Sequence, residues 1–174
     1  MLRKVLHAAR AALVVATTPL AVHPALGDST PPRRGWLEEV SVEGGRVRLK
    51  AKLDTGAKTS SVTASDVETL RRDGRDWVRF RIEDADEPDR GHLVLERPVT
   101  RWVKIKRQGG KAARRPVVEL DVCLGRKSRT VEVSLADRSG FNYPVLLGRN
   151  FLAGTALVDA GRTYTVKPEC GPKK

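Results

Sequence analysis

The chain has 174 residues, with 33 Lys and Arg against 21 Asp and Glu, a formal net charge of +12. That length holds one ordinary domain and no more. Aromatic residues are only 5% of the chain, and none forms a stacking platform among spaced basic residues, so the charge does not point to nucleic acid; outside the cytosol it fits an anionic envelope surface, acidic polymers or simple solubility.

Taken in order, the chain opens with basic Met1-Leu2-Arg3-Lys4, runs through an apolar stretch around Ala11 to Val22, and reaches the small-residue group Ala25-Leu26-Gly27. That order is the pattern of a secretory signal peptide over residues 1–27. The apolar stretch is short for a membrane span and is interrupted by Pro19. Export to the periplasm or the medium is therefore expected. Residues 28–35, DSTPPRRG, read as a polar linker, followed by one domain over residues 36–168 and a tail over residues 169–174.

From there the polarity has a period of two. A strand near Leu37–Val42 turns at Gly44-Gly45 into a second, where Val47, Leu49, Ala51 and Leu53 alternate with Arg46, Arg48, Lys50 and Lys52. Residues 64–72 fit one or two helical turns, with Ser65 as N-cap and Glu68 three residues on. Val78, Phe80 and Ile82 mark another strand, as do Val103 and Ile105. Val118 to Leu124 and Val131 to Leu135 mark two more, joined by a turn at Gly125-Arg126-Lys127. Arg149 to Ala153 fits a short helix, and Asp159 in ALVDAGRTYTV reads as a hairpin turn. The domain is all-β, with many short strands around a small core. Cys123 and Cys170 fit an internal disulfide, an intermolecular bridge through Cys170, or two free thiols, and the sequence leaves these open.

One stretch carries chemistry. Leu53 ends the basic alternating strand and Asp54-Thr55-Gly56 follows. A carboxylate there is held by a sheet yet lies in a loop that substrate can reach. Glycine lets the backbone turn close to the acid, and the threonine hydroxyl can lock the loop. Later, Pro144-Val145-Leu146-Leu147-Gly148-Arg149-Asn150-Phe151-Leu152 is an apolar strand ending in glycine and entering a short helix.

The combination DTGA … LLGRNFL resembles the retropepsin-like aspartic peptidases. Through GWLEEV, KLDTGAKTSS, DWVRFRI, TRWVKIK and PVLLGRNFL, the chain from Gly35 to about Lys167 resembles a bacterial family of that group, often labelled an ATP-dependent zinc protease. The residues do not support that label. His92 is the one histidine after the leader, there is no His-Glu-x-x-His, and no Gly-rich loop ends in Gly-Lys-Ser or Gly-Lys-Thr. Neither a metal nor a cofactor is expected.

The resemblance implies a retropepsin-like closed β-barrel with one or two short helices and a Gly-tipped flap hairpin, here Gly109-Gly110. It implies Asp54 as the catalytic acid, with Thr55, Gly56 and Ala57 supporting its loop, and Leu146, Leu147, Gly148, Arg149 and Asn150 as a structural second motif. The arginine matching Arg149 pairs with an acid after the Asp-Thr-Gly-Ala, but Lys58 and Thr59 stand there instead. Thr59, Ser60 and Ser61 read as strand or turn hydroxyls, with no nearby histidine to activate them. Aspartic proteolysis needs two carboxyls around one water. The chain has a single Asp-Thr-Gly, so the second acid must come from a second copy. The expected activity is exported, homodimeric aspartic endopeptidase action on peptide or protein substrates. The alternative is a non-catalytic module of the same fold that binds a peptide or an envelope partner. Residues 65–98 are additional to compact viral enzymes, with no role legible.

Overall fold

The computed structural model describes residues 30–83, 91–107, 110–137 and 142–171. Strand β1 (Arg33–Val42) turns into β2 (Val47–Leu53). Glu43, Gly44 and Gly45 all have positive φ in that turn, which is why glycines stand there. The strands β3 (Ser60–Thr63), β8 (Gly110–Leu124), β9 (Lys127–Ala136) and β10 (Val145–Leu147) complete a six-stranded barrel in the order β1-β2-β10-β3-β9-β8. It closes through the pairs Ser41 with Cys123 and Val42 with Val122. The alternation seen in sequence is the reason it closes. Val40, Val42, Val47, Leu49, Ala51, Leu53, Val118, Leu120, Val131 and Val133 are buried in one cluster, while Arg48, Lys50 and Lys52 on β2 stay outside it. Among the described residues the one helix is α1 (Arg149–Leu152), which follows β10 as expected.

Residues 65–98 do not form a helix at their start. Strands β4 (Ser65–Arg72), β5 (Arg75–Glu83) and β6 (His92–Pro98) make a separate antiparallel sheet. The spacing of Ser65 and Glu68 fits a helix cap, but Asp73-Gly74 with φ of 50 and 74 forms a two-residue hairpin turn that joins Arg72 to Arg75. Pairing with β5 then outweighs the weak helix preference of so short a segment. The inner face of this sheet, Val78, Phe80, Ile82, Leu93 and Leu95, belongs to the same buried cluster as the barrel. Strands β5 and β6 are thus part of the core, while β4 lies on the exposed edge of their sheet.

Strand β7 (Arg101–Arg107) pairs with β8 from Arg101–Val117 to Arg107–Gly110. This is the hairpin expected from the glycines; Gly110 opens β8 and Gly109 lies outside the described residues.

Strand β11 (Leu157–Thr163) lies parallel to β1, beyond the barrel. Asp159 is therefore in a strand opposite Gly35, not in a hairpin turn. Its carboxylate accepts the Gly161 N–H at 2.9 Å, making a local kink where the register slips. That kink folds over β1: a Cβ on Gly35 would stand 2.5 Å from the Arg162 carbonyl oxygen. Arg33 to Gly35, read as linker, are thus the first residues of β1. Beyond β11 the chain continues to Cys170, which forms a disulfide with Cys123; this settles the choice the sequence left open.

Phe80→Ala should lower unfolding free energy by about 3–5 kcal/mol, as for a large core side chain. Val67→Ala on exposed β4, where Val67 is 42% accessible, should change it by no more than about 0.5 kcal/mol. Urea denaturation checks both; equal small effects would detach the added sheet from the core.

Candidate active site

The acid loop begins where β2 stops. Leu53 pairs with Leu147 of the parallel strand β10, and the next N–H, of Asp54, donates to the Leu147 carbonyl at 2.8 Å. The backbone then turns, with the Ala57 N–H reaching the Asp54 carbonyl at 3.2 Å. The Asp54 carboxylate accepts the Gly56 N–H on Oδ1 at 2.9 Å and faces Lys52 Nζ through Oδ2 at 3.5 Å. Its side chain is 27% accessible. It is anchored to rigid backbone and still open to an incoming molecule. Gly56 is needed for proximity: a Cβ there would sit 3.2 Å from Asp54 Oδ1. Its φ is not in the left-handed region.

The second motif packs against this loop from behind. A Cβ on Gly148 would be 2.9 Å from both the Ala57 and Thr59 carbonyl oxygens, so no larger residue lets β10 approach. The Arg149 N–H donates to the Ala57 carbonyl at 2.8 Å and the Asn150 N–H to the Lys58 carbonyl at 3.2 Å. The Arg149 guanidinium spans the loop, with Nη1 donating to the carbonyls of Thr55 and Gly56, each at 2.9 Å. Its missing acidic partner is thus replaced by two backbone acceptors. Leu147 is fully buried, while Leu146 lies between Lys52 and Ser61.

Ser60 joins the two motifs, a role that sequence reasoning missed. It is fully buried at the start of β3. Its Oγ accepts the Gly148 N–H at 3.0 Å and donates to Asn150 Oδ1 at 2.7 Å. The Ser60 N–H donates to the same amide oxygen at 3.0 Å, and Asn150 Nδ2 donates to the Glu132 carbonyl at 2.8 Å. Asn150 thereby ties β3, α1 and β9 together. The available signal was the run Thr59-Ser60-Ser61 directly after the acid loop, where a hydroxyl can satisfy a buried glycine N–H. Among the described residues no group of three or more His, Cys, Asp and Glu is placed to hold a metal ion. His92 stands exposed at the start of β6.

A family model described as the RimB-like, retropepsin-like aspartic endopeptidase RimB matches residues 34–169. A protein of Desulfotalea psychrophila named probable alpha-L-glutamate ligase is 32% identical over 111 residues, 64% of this chain and 24% of that protein. A protein of Shewanella pealeana with the same name is 31% identical over 116 residues, 67% of this chain and 25% of that protein. The chain thus spans about a quarter of the length of these curated relatives. A crystal structure of a Legionella pneumophila protein of unknown function aligns with a TM-score of 0.66 and 33% identity, covering 79% of this chain and all of that one.

Ser60→Ala should cost about 1–3 kcal/mol, because it removes the acceptor of the buried Gly148 N–H. Ser128→Ala, at an exposed position of β9, serves as the comparison in urea denaturation. An unchanged midpoint for Ser60→Ala would show that the hydroxyl does not join the motifs.

Proposed function

This chain belongs to the RimB-like family of retropepsin-like aspartic endopeptidases, and from that premise we propose that it hydrolyses peptide bonds with Asp54 in a site shared by two copies. One observation carries the proposal: the Asp54 carboxylate is fixed by the Gly56 N–H and by a loop clamped through Arg149, while remaining open at its tip. A rigid, accessible acid is half of what this chemistry requires. Two such carboxyls brought close around one water cannot both ionise cheaply, so the pair holds one proton. The ionised member takes a proton from water as it attacks the scissile carbonyl, and the protonated member polarises the carbonyl oxygen. A two-fold axis between two Asp54 residues supplies both. The β7–β8 hairpin is proposed as the element that pairs with an extended substrate.

The leader pattern of residues 1–27 and the Cys123–Cys170 disulfide both support export to an oxidising compartment. Lys52 lies 3.5 Å from the acid, Lys58 is in the same loop, and Arg149 binds two of the loop's carbonyls. Together with relatives named probable alpha-L-glutamate ligase, this supports acidic, glutamate-rich peptides as substrates. A second reading, a binding module without catalysis, is favoured by the Lys52–Asp54 ion pair, which already satisfies the acid within one chain.

Asp54→Asn should reduce cleavage of glutamate-rich peptides by at least about a hundredfold. Excess Asp54→Asn chain mixed with the native chain should suppress its activity, because mixed dimers hold one acid. Equal cleavage by both chains removes Asp54 from the mechanism. Full native activity after mixing contradicts the shared site. Replacing Glu by Gln throughout the peptide should lower kcat/KM by about tenfold or more, as for lost charged contacts; no change would reject the substrate class while leaving the mechanism intact.

A further inference from the structure

The segment after β11, residues 164–171, has no regular secondary structure, yet it is fastened at both ends of the barrel. At the acid-loop end the Tyr164 N–H donates to the Leu37 carbonyl at 2.8 Å. Next it covers Glu38, a carboxylate with no accessible surface. Glu38 accepts Thr165 Oγ1 at 2.5 Å and the Gly35 N–H at 2.6 Å on one oxygen, and the Val166 N–H at 3.3 Å on the other. Two of those three donors belong to the strap. Val166 packs on the core cluster and against Gly125. At the far end the Glu169 N–H donates to the Gly125 carbonyl at 2.7 Å, and Cys170 bonds to Cys123. The Cys170 carbonyl lies against the Gly45 turn. The strap thus spans from the first half of β1, beside the acid loop, to the two turns at the opposite barrel end.

The two sulfurs differ. Cys123 is 3% accessible, whereas Cys170 is half-buried on the strap. Cys170 is therefore the more exposed of the two residues to an external thiolate. Both sulfurs stand near the Gly125 carbonyl, at 3.2 Å for Cys123 and 3.7 Å for Cys170. Neither carries a proton as a disulfide, but the Cys123 thiol formed by reduction finds that acceptor in place. The buried Cys123 thiol is not left without a partner. The reduced state is accommodated by the barrel, and what reduction removes is the covalent hold on the strap.

We propose that the strap of residues 164–171 is a redox-operated clasp, closed over Glu38 when Cys123 and Cys170 are joined and released from it when a dithiol reduces them. The dithiol's thiolate attacks Cys170 Sγ. The S–S bond breaks, and its electron pair leaves on Cys123 Sγ, which takes up a proton. The reductant's second thiol then displaces Cys170, which leaves as a thiol. Overall two electrons and two protons pass to the chain, and the dithiol becomes a disulfide. Release strips Glu38 of the Thr165 and Val166 donors and opens the first half of β1 to water, while the β8–β9 ladder keeps its pairing.

Hydrogen exchange on the full chain, with and without dithiothreitol and with free thiols counted, tests this. Reduction should speed exchange of the Val166 and Glu169 amides by about tenfold or more and leave the β8–β9 amides unchanged, as for local opening. Reoxidation should reverse it, and Cys170→Ser should show the open pattern without reductant. Strap amides that stay protected after two thiols appear would overturn the clasp. Joint loss of protection in strap and barrel would also overturn it, making the disulfide a staple for the whole fold.

Discussion

The hydrogen bonds that join the Asp54 loop to the junction of β10 and α1 are the constraint on which this molecule depends. Asp54 has no regular partner strand to hold its backbone beyond the Leu147 carbonyl. The loop that follows is fixed from the other motif by the backbone amides of Arg149 and Asn150, by the Arg149 guanidinium on two carbonyls, and by Ser60 between Gly148 and Asn150. Most of the acceptors are the loop's own carbonyls, so the backbone is held without using the Asp54 carboxylate, which keeps 27% of its side chain accessible beside Lys52. A charge-assisted donor such as Arg149 holds such acceptors more strongly than a neutral group does.

That junction is only as firm as the core beneath it. Leu53 and Leu147 are neighbours in register and both are buried, so the acid loop grows directly out of the packed barrel. Phe151 of α1 is fully buried in the same cluster, which also includes the inner face of the β4–β6 sheet. Arg129 of β9 adds a lock on α1, donating to the carbonyls of Phe151 and Ala153. A close-packed interior transmits small displacements. The β5 and β6 side chains and the residues beneath the acid loop thus belong to one buried cluster.

The strands at residues 37–42, 47–53, 78–82, 118–124 and 131–135 were legible because each buries one face, so charged or polar residues alternate with Val, Leu, Ile or Phe; β3, β4, β6 and β11 were not read as strands, and β4 and β11 bury no face at all. The acid loop and the second motif were legible because both carry distinctive side chains. What stayed hidden was whatever depends on backbone partners or distant chain segments. Residues 64–72 carry the spacing of a helix cap, and only the turn chemistry of Asp73-Gly74 argues for a hairpin. Arg149 lacked an acid in sequence because its acceptors are carbonyls, which every residue possesses. Gly35 is needed for the kink of β11, some 125 residues later, just as Cys123 meets Cys170 across a separation of 47. Asp159 resembled a turn because its carboxylate does make a turn-like bond to Gly161, but within a strand.

A single acid so rigidly held is incomplete for peptide hydrolysis, and the account stands or falls on what lies opposite it. The direct measurement is the separation of the two Asp54 carboxyls in a crystal structure of the assembled protein. The account predicts a two-fold pair with carboxyl oxygens about 3 Å apart, close enough to share a proton. An assembly that holds the two Asp54 side chains apart, with no other carboxyl facing either one, would contradict it.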